Sequence, residues 1–86
     1  MRLLVTGASG YIGNKLAHVL AERGHYVNAL IRSSASADLL RHPNIRVCIG
    51  DILDQNSLAI ALKDCKQVYH AAAFAKMWDK NRNNFN

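Results

Sequence analysis

Thr6-Gly7-Ala8-Ser9-Gly10-Tyr11-Ile12-Gly13 is the stretch on which the fold turns. Before it, Leu3-Leu4-Val5-Thr6 is a short apolar run stopped by glycine, suited to a buried parallel strand rather than a helix. After it, Ile12, Leu16, Val19 and Leu20 recur at helical spacing and predict one apolar helix face. Strand, glycine turn and helix in that order can cradle a phosphate. Gly7 permits the sharp turn out of the strand. Gly10 lets a phosphate approach a backbone that carries no Cβ there. Gly13 lets the helix pack close to the sheet. The free N–H groups of the first helical turn then face the anion, aided by the helix dipole. Ser9, Tyr11 and Ile12 are the other positions of this loop expected to meet such a ligand. The spacing differs from Gly-x-Gly-x-x-Gly, and the loop lacks the Lys-Ser/Thr of a P-loop.

Working outward, Arg23-Gly24 ends the helix, with the glycine suited to a C-terminal cap. Tyr26–Ile31 reads as a second strand. Ser33–Arg41 is Ser/Ala-rich with Leu39-Leu40 and predicts a short helix closed by Pro43. Ile45–Ile49 makes a third strand, stopped by Gly50-Asp51. Asp54 is placed to cap a helix whose inner face includes Leu58, Ala61 and Leu62. Gln67–Ala71 reads as a fourth strand, on which Tyr69 and His70 face opposite sides. Strands alternating with helical segments, each connection long enough for a parallel crossover, predict a doubly wound α/β sheet. Residues 1–75 are read as the dinucleotide-binding part, and 76–86 as a loop or incomplete helix in which Met77 and Trp78 could fringe a pocket.

The chain has 86 residues, half of them hydrophobic. That length suits one small domain or part of a larger one, and that composition argues against disorder throughout. No apolar run approaches the roughly 18 residues of a membrane span. The N-terminal apolar stretch is also too short for a signal-peptide core. A soluble cytoplasmic protein with no membrane partner is expected. Eleven basic against six acidic residues give a net charge of +5. The basic residues are scattered without a run, which predicts a solvated surface rather than a nucleic-acid partner. Cys48 and Cys65 fit neither a disulfide framework nor a Cys-x-x-Cys motif and read as buried or incidental thiols.

The pattern Thr-Gly-x-x-Gly-x-x-Gly resembles the signature of the extended short-chain dehydrogenase/reductase family, which includes nucleotide-sugar epimerases and dehydratases. Three further stretches are similar to it. Gly50-Asp51-Ile52 resembles the segment after the third strand, where the Asp side chain and the next amide hold the adenine. His70-Ala71-Ala72-Ala73 resembles the His-x-Ala-Ala that lines the cofactor at the end of the fourth strand. Leu30-Ile31-Arg32 resembles the branch that reduces dihydroflavonols and related carbonyl compounds. The resemblance runs from Arg2 to about Ala75 and covers the N-terminal third or so of a usual member. It implies a partial Rossmann-type sheet of about four strands in the order 3-2-1-4. The open edge of its fourth strand invites pairing into a homo-oligomer.

An acidic residue that accepts from a ribose 2′-OH is expected about 20 residues past the glycine loop. Ile31 and Arg32 fall there, and neither is acidic. A guanidinium pairs with a 2′-phosphate, so the expected cofactor is NADP, with NAD the alternative, and Ser33 and Ser34 are further phosphate donors. The family's catalytic Tyr-x-x-x-Lys spacing occurs once, at Tyr11 and Lys15, inside the glycine loop and first helix. There it is rejected as a catalytic pair, because the family's pair lies on a much later helix. No catalytic residue is assigned, His70 included. The chain reads as the NADP(H)-binding part of an oxidoreductase acting on a small carbonyl or hydroxyl substrate. The alternatives are part of an NAD-dependent nucleotide-sugar epimerase or dehydratase, or a non-catalytic nucleotide-sensing module.

Overall fold

The computed structural model describes residues 1–71. Four parallel strands, β1 (Arg2–Thr6), β2 (Tyr26–Ile31), β3 (Ile45–Ile49) and β4 (Gln67–His70), form one sheet in the order β3-β2-β1-β4. This is the order expected from the sequence. Helix α1 (Tyr11–Glu22) joins β1 to β2, and α2 (Gln55–Leu62) joins β3 to β4. Between β2 and β3 the chain forms a 3₁₀ helix, Ser34–Leu40, referred to below as the crossover helix. Ala71 has already left the fourth strand. Ala72, Ala73, Met77 and Trp78 lie outside the described residues.

The alternation of side chains sorts the core onto two faces. Val5, Val27, Ala29 and Ile31 pack with Ala17, Ala21 and Leu40 on the α1 side. Leu4 and Leu30 pack with Ala61 on the α2 side, where Leu58 and Leu62 are half-buried. Tyr69 packs on the α1 side, and His70 pairs instead with the Thr6 hydroxyl. Helices thus cover both faces, as a doubly wound sheet requires.

Helix α1 departs from the sequence expectation in one respect. Its fully buried positions are Gly13, Ala17 and Ala21, flanked by the partly buried Leu16 and Leu20. Ile12 and Val19 are also only partly buried. The line against the sheet is one of small residues, because the helix approaches β1 too closely for larger ones. A Cβ at Gly13 would stand 2.2 Å from the Gly7 carbonyl oxygen.

Asp54 caps α2 as expected. Its carboxylate accepts from the Asn56 N–H at 3.1 Å and from the Ser57 hydroxyl at 2.9 Å, and these bonds hold its pKa below the usual carboxylate value. On the α2 side, sheet and helix are tied through Asn28 of β2, which is 1% exposed. Its Oδ1 accepts from Arg2 Nη1 at 2.8 Å, and its Nδ2 donates to Ala61 O at 2.9 Å and to Cys65 Sγ at 3.4 Å. A buried amide with each group engaged avoids the cost of unpaired polar atoms.

Candidate functional site

The C-terminal ends of β1 and β2 open onto a cavity of about 540 Å³. The glycine loop forms its floor. Gly7 leaves β1 with φ +68°, a left-handed conformation that disfavours side chains. Gly10 is the N-cap of α1 and supplies no side-chain cap, and the first helical bond runs from Asn14 N to Gly10 O at 2.9 Å. The N–H groups of the first turn therefore have no helix acceptor. No acidic residue stands among them, so the positive end of the helix dipole is left uncompensated.

The three glycines differ in what fixes them. Gly7 is set by its backbone angle and Gly13 by contact with Gly7. Gly10 is set by neither: its φ is −79°, and a Cβ there would meet nothing nearer than Gly7 O at 3.5 Å. Within the chain an alanine would fit. A glycine at this exposed point leaves room for something outside the chain.

Of the positions singled out in the sequence, Gly7, Ser9, Gly10, Tyr11, Ile12, Gly13, Arg32, Ile52 and Ala71 all line this cavity. Thr6, Leu30, Ile31 and Gly50 line it as well. Gly50 was legible only as a strand stop, yet a Cβ on it would fall 2.5 Å from the Ser57 side chain, so α2 demands a glycine there. Asp51 is not among the lining residues. Its Oδ1 accepts from Leu53 N at 3.0 Å, closing a turn, and its Oδ2 lies 4.0 Å from Arg32 Nε. The Arg32 and Asp51 side chains are 80% and 42% exposed, so water weakens this ion pair and leaves Arg32 free to exchange partners. Ser33 caps the crossover helix by accepting from Ala35 N at 3.2 Å, and its hydroxyl proton remains available to an acceptor.

Tyr11 and Lys15 lie together on a smaller hollow beside the cavity, shared with Ser9, Gly10, Asn14, His18 and Leu39. Cys48 and Cys65 are free and half-buried on the α2 side. Burial pushes both thiols up in pKa, against the opposing pull of Arg46 and Arg2 on Cys48 and of Arg2 on Cys65. Such thiols stay protonated and unreactive at neutral pH. Among the described residues no group of three His, Cys, Asp or Glu could hold a metal ion, and no helix is long and apolar enough to cross a membrane.

A parallel sheet in the order 3-2-1-4, with a glycine loop and an uncapped helix N-terminus at the end of its central strand, defines a dinucleotide-binding domain of Rossmann type. The chain belongs to the NAD dependent epimerase/dehydratase family, whose model matches residues 3–85. It is 37% identical over 82 residues to sterol demethylase protein B of Methylococcus capsulatus, covering 95% of this chain and 25% of that protein. It is 36% identical over 78 residues to a putative dihydroflavonol 4-reductase of Synechocystis, covering 91% and 22% respectively. The Bordetella bronchiseptica enzyme WbmH, solved in complex with NAD+, superposes with a TM-score of 0.68 at 29% identity, over 80% of this chain and 24% of that one. The chain spans about a quarter of the length of each of these relatives.

Proposed function

We propose that residues 1–75 are the NADP(H)-binding part of a reductase that moves hydride between NADPH and a carbonyl or hydroxyl carbon. Bound cofactor supplies or takes the hydride, and the residues of this chain bind and orient it. The loop of Gly7, Ser9, Gly10, Tyr11, Ile12 and Gly13 receives the pyrophosphate, with Gly10 leaving room for it and the free N–H groups of the first turn of α1 facing it. On this reading Ile52 borders the adenine from the β3 side, with Asp51 beside Arg32, and Ala71 faces it from the end of β4. The name of the Synechocystis relative, a putative reductase, agrees with this chemistry. Substrate, and the groups that would move its proton, are assigned to no residue of this chain.

The observation that carries the choice of cofactor is Arg32. It stands on the cavity rim directly after β2, where Ile31 is 2% exposed and no carboxylate follows the strand to accept from a 2′-OH. A guanidinium there meets the additional phosphate of NADPH. Its exposure keeps the gain near the lower end for a charge-assisted contact, about 1.5 kcal/mol or tenfold in affinity.

Calorimetric titration of wild type and Arg32→Ala with NADPH and NADH tests this. The wild type is expected to prefer NADPH by about tenfold, and the variant to lose most of that preference with NADH binding little changed. Added salt should weaken NADPH more than NADH. Equal wild-type affinities, or an unchanged ratio in the variant, would overturn the NADP reading and favour an NAD-dependent epimerase or dehydratase.

A further inference from the structure

Outside the cavity, two side chains one turn apart on α1 converge on a single acceptor. Asn14 Nδ2 donates to Leu39 O at 2.8 Å, and His18 Nε2 meets the same oxygen at 2.8 Å. A carbonyl oxygen only accepts, so the His18 ring carries its proton on Nε2; two lone pairs allow both bonds at once. The oxygen belongs to the last turn of the crossover helix, where carbonyls have no helical partner. Leu39 itself is 65% exposed, so its own apolar burial does not account for the grip. Farther along the same connection, the His42 ring meets His18 edge-on at 6.2 Å, and Asn44 Nδ2 donates to Ala21 O at 3.3 Å. Helix α1 therefore holds the β2–β3 connection by polar ties along its length.

That connection begins at Arg32. The glycine loop and the Arg32 turn lie on separate segments, linked directly by the bond from Ala8 N to Leu30 O at 3.3 Å. Upstream, the turn is fixed by the sheet, with Gly50 N donating to Ile31 O at 2.8 Å. Downstream, it runs through the Ser33 cap into the crossover helix. We propose that Asn14 and His18 are positioning residues for cofactor discrimination. By clamping the Leu39 carbonyl they hold the crossover helix, and with it the Arg32–Ser34 turn, at a set distance from the glycine loop. A 2′-phosphate then meets a cation whose backbone is already ordered, and less freedom is lost on binding. The proposal rests on the NADP reading of Arg32.

The experiment titrates purified wild type, Asn14→Leu, His18→Leu and His18→Gln with NADPH and with NADH. Leucine is the better helix former at both positions, so α1 persists. Glutamine keeps a donor near the place of Nε2. In both leucine variants NADPH affinity is expected to fall about fivefold, the scale of one lost hydrogen bond, while NADH affinity holds within about twofold. His18→Gln should keep the wild-type ratio. Amide hydrogen exchange over residues 33–37 should quicken in the leucine variants alone. Equal losses for both cofactors, or an unmoved ratio, would overturn the clamp while leaving the Arg32 reading in place. A wild type that binds both cofactors equally would overturn the Arg32 reading and the clamp's role together.

Discussion

On the α1 side of the sheet, helix and strand meet so closely that a methyl at Gly13 would lie 2.2 Å from the backbone oxygen of Gly7. On the α2 side, only Ala61 of the helix is buried, while Ile60 and the preceding Leu53 remain 73% and 83% exposed. The same sheet is thus closed tightly on one face and loosely on the other. The tight face carries the glycine loop, which on the proposed reading receives the pyrophosphate, so that a small displacement there would move every free N–H group of the first turn. The looser face holds its helix by the Asn28 Nδ2 bond to Ala61 O and by a few partly buried leucines.

This contrast can be broken first at Gly13. Gly13→Ala is expected to cost about 3 kcal/mol or more, because backbone rather than a yielding side chain occupies the space. It should also abolish dinucleotide binding; thermal unfolding and cofactor titration check the two effects. A stable, binding Gly13→Ala protein would show that the close approach is not needed.

A matched pair of substitutions sharpens the comparison. Ala17→Leu, at a fully buried position on α1, should cost about 1–3 kcal/mol by overpacking. Ile60→Gln, on the exposed side of α2, should stay within about 0.5 kcal/mol. Denaturant midpoints for the two variants would remove the contrast if they shifted equally.

The smallest effect concerns the cap of α2. Hydrogen bonds to Ser57 and Asn56 lower the Asp54 pKa, so the cap's contribution is fully in place above the ordinary aspartate range. It is lost as acidification takes the pH down through the lowered value. Asp54→Asn keeps a capping oxygen without the titration and should flatten this acid-side loss. Circular dichroism across acid titrations of both proteins would show it, and identical profiles would mean that the cap contributes nothing measurable.

Much of this was legible along the chain. Short apolar runs bounded by glycine placed the strands, and Asp54 before Gln55 placed the cap, because both signals are local. The loop residues that line the cavity could be named from spacing because one turn brings them together. The buried line Gly13, Ala17 and Ala21 was not legible: hydrophobic periodicity weights large side chains, whereas close packing selects small ones. Nor were the contacts that cross the chain. Asn28 looked like an ordinary strand residue, yet its partners come from Arg2, Ala61 and Cys65. Arg32 and Asp51 were read as two separate ligand contacts, and the structure sets them against each other as an ion pair. No local signal marks Asn14 and His18 as partners of Leu39, since the pairing exists only once α1 and the crossover helix have docked.

Strand β1 sits between β2 and β4, and its bond from Thr6 to His70 spans 64 residues of chain. Among the four described strands, β1 is therefore the earliest made, and its second neighbour is the last to arrive. At synthesis rates of about 5–20 residues per second, roughly 3–13 seconds separate the emergence of Thr6 from that of its second neighbour. Through that interval β1 presents one row of open N–H and C=O groups beside Leu3, Leu4 and Val5, an edge that any extended segment can adopt. The centre of the four described strands thus begins as an adhesive edge. A pause in translation between Cys48 and Gln67 would lengthen its exposure to wrong partners without altering a single native contact.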